Sequence, residues 1–164
     1  MSIVIANRQR TKKINARLLR QIVDEWFAEL KITEAELGIN LVGAKEMAEV
    51  NWKFLRHEGS TDVITFDHNK PAKNRLARTL TPPSLHGELF VCVDVAIAQA
   101  KEFKTTWQTE TVRYVVHGVL HLLGHDDLKA ALRRKMKREE NRLVGKLSKK
   151  FSLAEIGGGS KLRR

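Results

Sequence analysis

The chain has 164 residues, 42% of them hydrophobic, enough for a single domain whose core needs neither disulfide nor metal staples. Its one cysteine, Cys92, excludes an intramolecular disulfide, and no apolar run approaches the ~20 residues that span a membrane. A net charge of +11 points to an anionic partner, and with 6% aromatic residues phosphate contact fits the composition better than base stacking.

Met1 to Ala6 is too short for a signal peptide and is cut off by Asn7-Arg8-Gln9-Arg10. The expectation is a cytoplasmic protein with no membrane partner and no disulfide-linked partner. Ile3-Val4-Ile5 reads as a short strand. Leu18, Leu19, Ile22, Val23, Trp26, Phe27 and Leu30 recur at helical spacing and predict an amphipathic helix. Leu37 to Val42 alternates like a strand, and Ala44 to Leu55 reads as a second helix with Met47, Val50 and Phe54 on its apolar side.

Asp62 to Phe66 and Glu88 to Val93 are strand-like. Between them, His68 to His86 is a long basic connection, with Lys70, Lys73, Arg75 and Arg78, that reads as a surface insertion or a substrate-contacting flap. Val95 to Phe103, Glu110 to Leu123 and Leu128 to Val144 read as helices. From Lys146 onward, Lys149-Lys150, Gly157-Gly158-Gly159-Ser160 and the final Lys161-Leu162-Arg163-Arg164 predict a disordered basic tail. The division is one domain over residues 1–145 and a tail over 146–164. The fold class is α+β: a small mixed β-sheet packed with helices, one of them a zincin-like metal-binding helix.

The chemistry concentrates in Val116 to Asp127, V-H-G-V-L-H-L-L-G-H-D-D. His117 and His121 are four apart, so on a helix they share one face. Gly124 lets the backbone leave the helix and turn back, which brings Asp127, or alternatively His125, to the same point. Two imidazoles plus a third ligand, with one position open, suit a catalytic divalent metal, zinc above others. His125 leaves little chain for the return, so Asp127 is the better third ligand. Asp126 fits either a partner orienting an imidazole or a cap before Leu128. The metallopeptidase motif H-E-x-x-H carries its general base directly after the first His; here that position is Gly118.

This run resembles the signature of the YbeY family of bacterial rRNA-maturation endoribonucleases, H-G-x-L-H-L-x-G-Y-D-H. It departs at His125, usually Tyr, and at Asp127, usually the third metal-binding His. Asn51-Trp52-Lys53-Phe54-Leu55-Arg56 followed by Ser60-Thr61-Asp62-Val63-Ile64-Thr65-Phe66 is similar to the family's L-N-x-x-[YF]-R and T-D-V-L-S-F. Gly87-Glu88-Leu89-Phe90-Val91 is similar to its G-D-I-x-I. Order and spacing agree over roughly residues 37–145, except for a longer insert before Gly87.

The resemblance implies a single-strand-specific, zinc-dependent endoribonuclease acting in rRNA maturation at the 16S 3′ end and in ribosome quality control. Its partners would be rRNA and the small ribosomal subunit, with one Zn²⁺ per chain. It also makes Arg56 a catalytic residue beside His117. Physically, that guanidinium can clamp a scissile phosphate, although an arginine closing a helix also satisfies the helix dipole. Thr61 and Asp62 read equally well as turn chemistry, and Glu88 as structural. The basic helix residues Arg133, Arg134, Lys135, Lys137 and Arg138 are candidates for attracting the RNA backbone. The alternatives are a non-catalytic RNA-binding assembly factor with a structural metal and, against the evidence of Gly118, a metallopeptidase.

Overall fold

A computed structural model of the chain describes residues 1–69 and 84–158. Four strands, β1 (Ser2–Asn7), β2 (Glu34–Val42), β3 (Val63–Asp67) and β4 (Ser84–Cys92), form one sheet in the order β1-β2-β4-β3. β1 is parallel to β2 and β2 to β4, while β3 pairs antiparallel with β4. The sheet is therefore mixed, and with its helices it has the expected α+β class.

Alternation along the inner strands divides the interior in two. Leu37, Ile39 and Leu41 of β2 and Leu85, Leu89 and Val91 of β4 enter the main core. Val42 and Cys92 join Met47 and Ile64 in a smaller cluster, with Phe66 and Phe90 packed against it. Central strands covered on both faces explain why β2 alternates imperfectly in sequence.

Helix α1 (Ala16–Glu29) connects the parallel β1 and β2. The side chain of Asn15 accepts the Leu18 N–H at 3.0 Å to start it, and Leu19, Ile22, Val23, Trp26 and Phe27 are buried. The segment expected as one helix over 44–55 is instead α2 (Ala44–Val50) followed by a π-helical turn, Asn51–Leu55. The wider turn shifts the phase of the side chains, so Phe54 is exposed rather than on the apolar face. Arg56 ends the turn in the left-handed conformation at φ 55°.

Helices α3 (Val93–Phe103), α4 (Trp107–Leu122) and α5 (Ala130–Lys150) complete the domain. α4 buries residues around most of its circumference, as expected for a helix between the sheet and its neighbours α3 and α5. His117 and His121 lie on its partly open side.

Residues 146–158 are not the disordered arm expected from composition. α5 continues to Lys150, and a 3₁₀ turn, Leu153–Gly157, sets Leu153 and Ile156 into the main core. Lys150 binds Glu29 at 2.9 Å and Glu25 at 3.3 Å, and Lys146 binds Glu29 at 3.1 Å, tying α5 to α1. The flap expected between His68 and His86 falls largely on residues 70–83, outside the described residues. Among the described residues no helix is long and apolar enough to cross a membrane, and Cys92 is buried.

Candidate metal centre

α4 ends in a Schellman turn. The Gly124 N–H donates to the His121 carbonyl at 3.0 Å and the His125 N–H to the Leu120 carbonyl at 3.0 Å, with Gly124 at φ 102°. Glycine is needed there because the left-handed conformation clashes with a Cβ. The reversal sends the chain back past the helix end. Asp126 accepts the Leu128 N–H at 2.8 Å, a turn bond rather than contact with an imidazole. Arg133 of α5 donates to the Asp127 carbonyl at 3.3 Å.

Asp127 is thereby carried to the two histidines. Its Oδ2 lies 3.5 Å from His121 Nε2 and 3.9 Å from His117 Nε2, and donor atoms of all three residues fall within 4.8 Å of one another. Tetrahedral zinc, with bonds of about 2.0–2.1 Å, separates its ligands by about 3.3–3.4 Å. The donor set and spacing fit such an ion. His125, the alternative third ligand, is not in this group; its backbone is held in the turn.

Behind His117 stands a residue the sequence reading did not single out. Glu140 of α5 is 5% exposed, and its Oε2 lies 3.6 Å from His117 Nδ1. Arg113 at 3.6 Å and Lys137 at 3.8 Å flank the same carboxylate. Burial disfavours the charge on Glu140, yet His117, Lys137 and Arg113 outweigh it and hold the carboxyl below its ordinary value. Burial likewise opposes charge on His117, but Glu140, with Asp62 and Asp127 beyond it, raises that imidazole above its usual value. The surroundings favour positive charge at this point, whether a proton or a metal ion.

The triad sits where two clefts meet. The larger, of about 710 Å³, is lined by Arg113, Tyr114, Arg133, Arg134, Lys137 and Glu140 among others. The smaller, of about 470 Å³, is lined by Leu55, Val63, Ile64, Thr65, Asp67 and His121. His117, Asp127 and Asp62 border both. Asp62 does make the turn bond expected of it, accepting the Val63 N–H at 2.7 Å, and among the described residues it is also the one further carboxylate shared by the two clefts.

Of the basic residues on α5, Arg133, Arg134 and Lys137 line the larger cleft; Lys135 and Arg138 are exposed and outside its lining. Arg56 does not line either cleft, and its guanidinium rests 5.5 Å from the Trp52 ring centre. Glu88 is away from the triad, accepting from the Asn40 amide at 2.8 Å. Gly118 faces the sheet: a Cβ there would come 2.6 Å from Leu89 Cδ2. The place where a peptidase carries its glutamate is thus filled by β4.

The fold and the triad define an α+β protein whose candidate metal-binding centre, two histidines of α4 and an aspartate from the turn after it, opens on a cleft lined by both cations and carboxylates. Residues 4–148 match the family model described as Endoribonuclease YbeY, and the chain belongs to the YbeY family, which is metal-dependent. A Salinibacter ruber protein named Endoribonuclease YbeY is 30% identical over 82% of this chain and 84% of its own length. A Myxococcus xanthus protein of the same name is 33% identical over 79% of this chain, which spans 42% of that longer relative. The solution structure of TM1509 from Thermotoga maritima shares the fold, with a TM-score of 0.64 over 99% of both chains at 23% identity.

Proposed function

We propose that the chain is a metal-dependent endoribonuclease that cuts single-stranded RNA during rRNA maturation, with the 16S 3′ end and ribosome quality control as its setting and the small subunit as its partner. Membership of the YbeY family supports the reaction class. The observation that carries the reading is the triad at the junction of two clefts, one edged by Arg113, Arg133, Arg134 and Lys137.

His117, His121 and Asp127 would hold Zn²⁺, which supplies Lewis acidity, acidifying water and polarising a phosphate oxygen. The protein does the rest. The Glu140 carboxylate, 3.6 Å from His117 Nδ1, favours a proton on that nitrogen and so the tautomer that turns the Nε2 lone pair toward Asp127 and His121. Arg133 holds the Asp127 segment in place through its carbonyl. Asp62, bordering both clefts and not one of the three converging donors, is the group to take a proton from the attacking hydroxyl, a task Gly118 cannot perform.

Arg56 follows the cleft-lining Leu55 and is retained as a phosphate contact. Its stacking on Trp52 is worth only about 0.5–1 kcal/mol at an exposed site, so a phosphate can draw it away. Arg133, Arg134 and Lys137, with Lys135 and Arg138 farther out, attract the strand. Three converging protein donors among the described residues, rather than four, favour a catalytic over a structural metal.

The test is to incubate zinc-loaded wild type and His121→Ala with a structured rRNA fragment bearing a single-stranded 3′ extension. Wild type is expected to cut the extension and His121→Ala to leave it intact. Equal cutting by both would defeat the metal-centred reading.

A further inference from the structure

The π-helical turn Asn51–Leu55 presents an unusual surface. Trp52 is 50% exposed, Phe54 55% and Leu55 45%, all within this one five-residue turn. Large apolar side chains are not left open in this way without a cost in contact with water, about 25 cal/mol per Å² of apolar area. The patch is rigid. Phe54 packs edge-on to Phe66 at 5.1 Å between centroids, and Phe66 packs on Phe90 at 5.8 Å, which anchors the turn to the smaller core cluster. Asn51, itself buried, holds the following loop by donating to the Gly59 carbonyl at 2.9 Å.

The aromatic rings are interleaved with cations. Lys53 Nζ lies 5.3 Å from the Phe54 ring centre, and the Arg56 guanidinium lies over Trp52. The turn is also continuous with the candidate active site, because Leu55 lines the same cleft as His121 and Asp127. Exposed rings, alternating cations and a path to a phosphodiester-cutting centre match one occupant. An unpaired nucleobase offers a flat π-face to the ring and a phosphate to the neighbouring cation.

We infer that Trp52, supported by Phe54, is a base-stacking subsite for one unpaired nucleobase of a single RNA strand whose backbone continues into the cleft at the triad. The inference rests on the endoribonuclease reading for the direction of the strand. It also supplies a reason for single-strand selectivity, since a base held in a duplex cannot lie flat on Trp52. The low aromatic content argued against stacking, but composition does not register where the aromatics lie.

The experiment compares two labelled oligoribonucleotides of equal length and charge, one unstructured with all bases present and one abasic throughout. Binding to the full chain is followed by fluorescence anisotropy in the presence of chelator, so that no cutting occurs. Wild type should bind the base-containing strand about ten-fold more tightly than the abasic strand, within the range of one stacked base. Trp52→Ala should remove that gap and leave abasic binding unchanged; Trp52→Phe should keep most of it. A gap that persists in Trp52→Ala overturns the subsite. So does an equal loss of both strands, which would mark a charge or folding effect, or no base-dependent gap in wild type, the result expected of a protein-docking patch. Cutting is scored separately on the zinc-loaded protein. A base-dependent gap without cutting would overturn the nuclease reading and leave the subsite standing, and cutting with no effect of Trp52 would do the reverse.

Discussion

Glu140 reaches across from α5 to place its Oε2 3.6 Å from His117 Nδ1 in α4, while its Oε1 lies 3.6 Å from Arg113. A buried carboxylate in that position fixes which imidazole nitrogen faces the other donors. Replacing such a partner costs about 10–100-fold in metal affinity. Glu140→Gln, which keeps an acceptor and loses the charge, should weaken zinc binding about ten-fold, and Glu140→Ala toward the upper end of that range. Competition against a chromogenic chelator measures both. Unchanged affinity in Glu140→Ala would remove Glu140 from the site.

The third ligand separates in the same assay. Asp127→Ala should lose most zinc affinity, because Oδ2 is the donor nearest both imidazoles. His125→Ala should leave affinity unchanged, since its backbone N–H, not its ring, closes the Schellman turn. Asp127→His, the residue usual in the family, should restore binding that Asp127→Ala abolishes.

Asp62→Asn keeps an oxygen able to accept the Val63 N–H and removes only the charge. If Asp62 takes the proton, RNA cutting should fall by about 10²-fold, the lower range for general base catalysis. Zinc affinity and melting temperature should stay near wild type. Wild-type cutting in Asp62→Asn would return the base to another group.

Gly118→Ala sets two effects against each other. Alanine gains about 1 kcal/mol of helix propensity over glycine. Its Cβ, however, would lie 2.6 Å from Leu89 Cδ2, and Leu89 is fully buried with nowhere to retreat. Overpacking of this kind costs about 1–3 kcal/mol, so the net change should be destabilising in urea unfolding. Gly118→Glu, which completes H-E-x-x-H, should unfold the protein rather than create a peptidase, because the new carboxylate would be buried against β4.

The end of the chain is structural. Ile156 is fully buried, so Ile156→Ala should cost about 2–5 kcal/mol, and truncation after residue 145 should cost more because Leu147 and Leu153 leave as well. A tail without structure would give no change in thermal melting. Glu29, held below the usual carboxylate range by hydrogen bonds from Lys150 and Lys146, adds a small pH dependence. A depressed carboxyl stabilises above its unfolded value and loses that contribution as pH falls through its folded value. Being exposed, it should shift the acid limb only slightly, and less in high salt.

What the sequence revealed depended on how local each feature is. His117, His121, Gly124 and Asp127 sit in one short run with helical spacing and a turn, so their convergence follows from elementary geometry. Glu140 and Asp62 reach the same point from α5 and from the start of β3, and no spacing rule connects them. One signal was available: Glu140 lies on the stripe of Met136, Leu143, Val144 and Leu147, where a carboxylate is out of place unless paired. The tail was misread because its glycines and lysines outweighed Leu153 and Ile156, three residues apart and both apolar. The π-helical turn was invisible because a single widened turn leaves no period to detect.

The compactness of the His117-to-Asp127 segment bears on how the ion and folding are coupled. Donors that lie so near in sequence can approach one another within a single helical turn and the reversal after it, so the unfolded chain should keep part of the affinity for zinc even without the support of Arg133 and Glu140. Binding to that state offsets the stabilisation that binding to the native state provides. Added zinc should therefore raise the melting temperature by less than the native affinity alone dictates. It should also hold the end of α4 together in a chain whose sheet has not yet formed.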